Sequence, residues 1–441
     1  MDKTEIKKYD REHHLHSWSV QGALDPIVVD RAEGSCFFDL DGKRYLDFSS
    51  QLMNLNTGHQ HPKVVKAIKD QADRLCFVAP GMAYLTRSQL VKALMEITPG
   101  DLNHFFFTLG GAEANENAIK MARLYTGKFK VFSRYRSYHG ATFGAISLTG
   151  DPRRPPVEPG LPGVLKVLDP YCYRCPFGLT YPGCRIQCAR HIEEVFLYEN
   201  PDTIAAIFME GVVGSNGIIV PPPEYLPLVR EICDKYGVLL VSDEVMSGFG
   251  RTGKWFAVDH WNVAPDIITM AKGLTSGYLP LGGVAVSKKI SDYFQDHMLW
   301  GGLTYNAHPL CCGAAVATLQ VYHEENLIER AAQMGDLLMA ELEALKARHT
   351  SVGDVRGLGL FTVIELVKDQ QTREPLVPWN AAGPNLALTK EINKRLLQGG
   401  VYTFVRWNWI FVVPPLVISE AELREGLGVI DEVLGWVDTR I

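Results

Sequence analysis

Lys272 is the residue of this chain with the most chemical promise. It follows the apolar run DIITM (266–270) after a single alanine and is then hemmed in by GLTSGYLPLGG. A lysine that ends a buried strand is costly to desolvate. Burial that lowers its pKa makes the amine a nucleophile able to form a Schiff base with a carbonyl compound. Taken alone, Lys272 is better read as a lysine that snorkels to the surface from a strand end. Its neighbours shift that balance. In LLVSDEVMSGFGRTGKWF (239–256), Asp243 closes another apolar run, 29 residues before Lys272. That separation suits two strand ends joined by one crossover. A carboxylate so placed serves either as a structural cap or as the partner of a protonated heteroaromatic nitrogen. A third run, TIAAIFM (203–209), ends at Glu210.

A third kind of chemistry sits in FFFTLGGAEANENAIKMAR (105–123). Here an apolar run meets Gly110 and Gly111 and then a helical pattern with Ala114, Ala118, Met121 and Ala122 on one face. A glycine turn that opens a helix presents free amide N–H groups to an anion, and the helix dipole adds to the attraction. Glycine also serves merely to turn a chain, and the G-x-G-x-x-G dinucleotide spacing is absent. A nucleophilic lysine, a carboxylate for a pyridinium and a phosphate cup together describe a site for pyridoxal phosphate.

The elements that must position these residues are apolar runs of strand length, many followed by helical patterns: HFFFTL (104–109), TIAAIFM, GVLLVS (237–242), DIITM and GGVAVS (282–287). Strands apolar throughout, rather than alternating, predict a mostly parallel sheet covered on both faces. Ligands of such sheets collect at the carboxyl ends of the strands, where Glu210, Asp243 and Lys272 fall. The last third changes character. LIERAAQMGDLLMAELEALKARH (327–349) reads as one long amphipathic helix, followed by strand-like LGLFTVIELV and WIFVVPPLVIS and a final helix from about Ser419. The expected fold class is α/β, with a large domain around a mostly parallel central sheet and a smaller α+β domain. Residues 1–60 are expected to contribute to the small domain and the active-site entrance, 61–318 to form the large domain, and 319–441 the small one.

A chain of 441 residues is too long for one ordinary core. Its 21% charged and 46% apolar residues are ordinary for a globular protein, and a formal charge of −6 gives no reason to expect nucleic acid or an anionic membrane as partner. No apolar run reaches the length of a membrane span, and the polar opening MDKTEIKKYDREHHLHSW lacks the apolar core of a signal peptide. Nine cysteines, an odd number scattered along the chain, suit reduced thiols and a cytoplasmic location.

Five motifs stand in the order and approximate spacing of one family: GGAEANENAIKMAR, SYHGATFGA, DEVMSGFGRTG, TMAKGL…PLGG and LTYNAHPLCCGAA. On these the chain resembles the class III aminotransferases, which are fold-type I pyridoxal-phosphate enzymes, over nearly its whole length. The resemblance implies that Lys272 bonds covalently to the cofactor and later shuttles a proton, while Asp243 keeps the ring nitrogen protonated. It implies that Gly110, Gly111 and Ala112 form the phosphate cup, and that Tyr138 and Val245 pack on opposite ring faces. His139 is expected at the cofactor site behind them. Thr304 matches a threonine that reaches the phosphate of the neighbouring subunit, which implies a homodimer or a dimer of dimers with shared sites. The chain departs from the family's common pattern at the cup, which reads GGA. It also carries Met246 where many members have Gln, and Gly211 after Glu210 where members read Glu-Pro.

The resemblance further implies a small-molecule amino donor and a 2-oxo acid acceptor. Where ornithine- and 4-aminobutyrate-type members keep an arginine three residues before PPL, this chain has Phe411. It offers instead Arg406, in YTFVRWNWIFVVPPL, similar to the movable arginine of the ω-amino acid:pyruvate branch. An arginine fork is the natural ligand of a carboxylate; the plainer reading of Arg406 is a strand-edge charge facing solvent. Trp18 and Leu52 match stretches that line the substrate side, with Glu210 beside them. HHLHSW and FSSQLMNLNTGH look most like taurine aminotransferases, so the expected donor is taurine, β-alanine or a similar ω-amino acid, with pyruvate or 2-oxoglutarate as acceptor. Racemases, aminomutases and lyases of the same family share Lys272, Asp243 and the cup, and a non-catalytic cofactor-binding regulator is the reading from another class. Lastly, Cys172, Cys175, Cys184 and Cys188 stand at C-x2-C-x8-C-x3-C spacing. Four thiolates so close could wrap one tetrahedral zinc, although the expected state is reduced structural thiols and no metal.

Overall fold

The computed structural model describes residues 1–441. Seven strands form the central sheet: β1 (His104–Thr108), β2 (Lys130–Arg134), β3 (Val164–Val167), β4 (Ile204–Met209), β5 (Leu239–Asp243), β6 (Ile267–Met270) and β7 (Gly282–Val286). Their order is β1-β7-β6-β5-β4-β2-β3. All pairings are parallel except those of β7, which runs antiparallel to both β1 and β6. Every residue of β4, β5, β6 and β7 is buried. The cause is cover on both faces. Ala206, Phe208 and Val241 pack toward Ala114 and Ala118, whereas Ile207 and Leu240 pack with Phe196 and Val229 on the other side.

The helix α1 (Gly111–Thr126) begins directly after β1 and buries Ala114, Ala118, Met121 and Ala122. Five strands match the apolar runs of the sequence. β2 (KVFSR) and β3 (VLKV) did not stand out there, because polar residues leave β2 only Val131 and Phe132 as an apolar pair and Lys166 interrupts the four residues of β3. Parallel pairing places the ends of β4, β5 and β6 on one edge of the sheet, so Glu210, Asp243 and Lys272 converge there.

In the last third the helix spans Leu327–Arg348 and the final one Glu420–Asp438, whose Ser419 and Glu422 cap each other. LGLFTVIELV opens on the turn of a hairpin and holds only its second strand. Val352–Leu358 and Phe361–Asp369 pair as a hairpin whose turn holds Gly359 at φ +56°, a conformation glycine enters without strain. Trp409–Val412 extends that sheet. Near the amino end, Val29–Glu33, Cys36–Asp39 and Arg44–Asp47 form an antiparallel sheet, and Val401–Tyr402 joins it parallel to Arg44–Asp47. Fully buried Arg251 ties these parts together. Its guanidinium donates to the carbonyls of Leu360 and Pro414 and to Ser50 Oγ and Asn56 Oδ1. No helix is long and apolar enough to cross a membrane.

Candidate active site

A cavity of about 520 Å3 opens at the carboxyl edge of the central sheet. Asp243, Glu210 and Lys272 line it, as do Tyr138, His139 and Val245 and the cup residues Gly110, Gly111 and Ala112. Lys272 takes φ +42°, a strained conformation for a residue with a side chain. Desolvation pulls its pKa from the ordinary 10.5 down to about 8, against the opposing pull of Asp243 and Glu210. A sizeable fraction of its amine is therefore neutral near physiological pH, as a nucleophile requires.

Asp243 is 3% exposed and held from three sides. Its Oδ2 accepts from Asn115 Nδ2 at 2.9 Å and pairs with His139 Nδ1 at 2.7 Å, while Oδ1 accepts from the Val245 N–H at 3.1 Å. Asn115 is fixed in turn, since its Oδ1 accepts from Thr269 Oγ1 at 3.0 Å and its Nδ2 also reaches the His139 carbonyl at 2.8 Å. These contacts fix the orientation of the carboxylate. Asn115 lies inside one of the motifs, but nothing in its spacing marks it as the grip on Asp243. Glu210 accepts from the N–H groups of Tyr138 (3.1 Å) and Gly214 (2.7 Å), and burial raises its pKa. The glutamate thus anchors the turn that carries Tyr138. Glu244, the residue after Asp243, is likewise structural. It accepts from Ser247 and from the amides of Ala257 and Val258.

The start of α1 carries no side-chain cap, so its first N–H groups face the cavity end of the helix without a partner from the helix itself. A Cβ on Gly111 would fall 2.8 Å from both methyls of Val245, so only glycine lets this turn pass there. An anionic group fits such a start, and His139 Nε2 beside Asp243 is buried without a partner.

The outer part of the site brings together residues far apart in sequence. Arg153, which the sequence reading missed, lies with its guanidinium carbon 3.6 Å from the Tyr138 ring centre and 5.5 Å from that of Trp18. Trp18 and Tyr138 meet edge to face at 6.1 Å. Arg153 Nε donates to both oxygens of Asp151 at 3.0 Å, and Arg406 Nη2 reaches Asp151 Oδ2 at 3.2 Å. Arg406 also donates to the Ser215 carbonyl at 3.1 Å, so it is a partly buried member of this cluster and not a solvent-facing strand charge. Burial and Arg153 lower the pKa of Arg406 to about 10, and the two arginines hold that of Asp151 below the usual carboxylate range. Leu52 is 67% exposed and lies outside the cavity lining, as do exposed Thr304 and Trp18 and partly buried Arg406; the cluster of Arg153, Arg406 and Trp18 adjoins the cavity through Tyr138. The four clustered cysteines line a separate cavity of about 20 Å3, and no group of three or more His, Cys, Asp or Glu side chains is arranged to hold a metal ion.

The sheet order, the strand-end lysine and the gripped aspartate define a fold-type I pyridoxal-phosphate enzyme. The chain belongs to the class-III aminotransferases, the family it matches over residues 19–434. It is 34% identical over 461 residues to the taurine–pyruvate aminotransferase of Bilophila wadsworthia, covering 100% of this chain and 99% of that one. It is 37% identical over 416 residues to the leucine/methionine racemase of Thermococcus litoralis, covering 94% and 91%. Among solved structures, the taurine:2-oxoglutarate aminotransferase of Bifidobacterium kashiwanohense, in complex with pyridoxal phosphate and glutamate, superposes with a TM-score of 0.95. It is 44% identical, covering 100% of this chain and 99% of that one.

Proposed function

We propose that the chain moves the terminal amino group of an ω-amino acid, such as taurine or β-alanine, to pyruvate or 2-oxoglutarate in two half-reactions. The observation that carries this reading is the paired guanidiniums of Arg153 and Arg406, which share the single carboxylate of Asp151 and leave the outer end of the site net positive. A donor whose acidic group rests there presents its far end, the amine, toward Lys272. The taurine aminotransferases among its relatives support the same donor class.

Pyridoxal phosphate, when bound, supplies an electron sink for the carbanion left by proton removal and carries the amino group from donor to acceptor. The residues present fit it. The uncapped start of α1 at Gly110, Gly111 and Ala112 would hold the phosphate, and Asp243 would hold a proton at the ring nitrogen. Val245 and Tyr138 would flank the ring. Asn115 and His139 keep Asp243 in place throughout. Lys272, whose amine burial makes easier to deprotonate, binds the cofactor and then moves a proton at the carbon that bears the donor's nitrogen. Arg153 and Arg406 orient the acidic end of each substrate, and Trp18, edge-on to Tyr138, covers the entrance.

The remaining parts of the reading follow the family resemblance. The enzyme works in the cytoplasm as a homodimer or dimer of dimers, with Thr304 completing the neighbouring cup. The chain divides into an entrance segment (1–60), a large domain (61–318) and a small domain (319–441). The kinship with a racemase gives the second reading a specific basis.

One measurement separates the two. The visible band of the lysine-bound cofactor is followed while taurine or β-alanine is added without any oxo acid. A transaminase loses the band and regains it on adding pyruvate or 2-oxoglutarate. A racemase keeps it. A band that is present but unmoved by either amine leaves the cofactor site standing and removes the donor assignment.

A further inference from the structure

The central sheet carries a second desolvated lysine, which the transfer reaction does not use. Lys166 projects from β3, the edge strand, into a cavity of about 530 Å3 that is separate from the main one. Its Nζ donates to the Ser147 carbonyl at 2.6 Å, and no carboxylate pairs with it. Arg154 lines the same cavity. One end of its guanidinium pairs with Glu158, while its Nε is buried without a partner. Arg154 therefore brings to the cavity a cation that Glu158 pairs at one end only. Burial, reinforced by the charge of Arg154, lowers the pKa of Lys166 to about 7. The contrast with Lys272 is in the surroundings, because Lys272 faces two carboxylates and Lys166 faces an arginine. Consecutive residues serve the two cavities: Arg153 lies over Tyr138 at the main site, and Arg154 turns into the second.

We propose that this second cavity binds small anionic carbonyl compounds, with Arg154 holding the anionic group and Lys166 capturing the carbonyl as an imine. The neutral Nζ attacks the carbonyl carbon, a C=N bond replaces C=O, and the oxygen leaves as water with the two protons of the amine. No electrons are exchanged with any other reagent, and hydrolysis reverses the step. The site does not depend on which amine the enzyme accepts.

The test uses holoenzyme with Lys272 already loaded. Further pyridoxal phosphate serves as an anionic aldehyde at pH 7, borohydride fixes any imine, and peptide mass spectrometry locates the label. Lys166 should be labelled at a concentration about tenfold below that needed for exposed lysines such as Lys69, Lys120 and Lys390. Lys166→Arg should remove that label, and Arg154→Gln should raise its half-saturation several-fold. The Lys272 band should persist in both variants, which shows that they remain folded. An uncharged aldehyde such as propanal should show a much smaller preference for Lys166. Labelling of Lys166 no earlier than the exposed lysines, or a half-saturation that Arg154→Gln leaves unmoved, overturns the proposal.

Discussion

The floor of the main cavity and its outer rim are built from different material. On the floor, Lys272, Asp243 and Glu210 come from the ends of adjacent strands, and their supports Asn115 and His139 lie in the same domain-sized stretch. At the rim, Trp18, Asp151, Arg153, Ser215 and Arg406 arrive from four separate parts of the chain. The charge is reversed as well. Two carboxylates face one lysine on the floor, whereas two guanidiniums share one carboxylate at the rim. The floor therefore carries the groups proposed for the cofactor chemistry, and the rim carries those proposed to hold the substrate.

If that division is right, damage to the floor should appear in kcat and damage to the rim in KM. Lys272→Ala should lower kcat by about 10³-fold or more and abolish the lysine-bound visible band, with KM for the donor little changed. Loss of less than tenfold would place the base elsewhere. Asp243→Asn keeps the shape but removes the charge opposite the ring nitrogen, and kcat should fall by about 10²-fold. Stopped-flow traces of the first half-reaction check both.

At the rim, Arg153→Ala and Arg406→Ala should each raise KM for taurine or β-alanine by about 10- to 100-fold, since each removes one partner of a partly buried charge cluster. Neither should affect a simple aliphatic amine that lacks an acidic end. An equal loss for both donor types would show that the arginines support the fold and do not select the donor. The comparison sharpens further with pH. In cofactor-free enzyme Lys272 sheds its proton near pH 8, well below the ordinary 10.5. The rate of cofactor capture should therefore climb about tenfold per pH unit below 8 and level off above it. Stability has the same sign: between about 8 and 10.5 the unfolded chain holds a proton that the folded one has lost, so stability of the cofactor-free enzyme rises with pH across that window. A capture midpoint near 10 would mean that Lys272 is not desolvated. Thr304→Ala should have the smallest effect, a several-fold weaker cofactor affinity with kcat unchanged, as one lost hydrogen bond to an anion predicts. An unaltered affinity would remove Thr304 from the neighbouring cup.

Much of the floor could be read before any fold was known. Lys272, Asp243 and the Gly110–Gly111 turn each lie where an apolar run stops, and a polar residue at the end of a buried strand is conspicuous in a string of letters. The long helix at Leu327–Arg348 and the cap at Ser419 were legible for the same local reason, periodicity and capping chemistry. Strands β2 and β3 were not, because Ser133 and Arg134 in one and Lys166 in the other break the apolar signal while their backbone still completes the sheet edge. The hairpin that turns at the start of LGLFTVIELV was hidden because a single glycine makes the turn.

The sequence by itself determined the family chemistry, since a nucleophile, a carboxylate and a phosphate turn are each encoded within a few contiguous residues. Only the tertiary structure decided how they are held and what else surrounds them. Asn115 and His139 grip Asp243 across 128 and 104 residues of chain, and Arg406 meets Asp151 across 255. Lys166 and Arg154 acquire a shared cavity only when β3 closes the sheet edge. Burial and charge act through space, and a sequence records neighbours only along the chain.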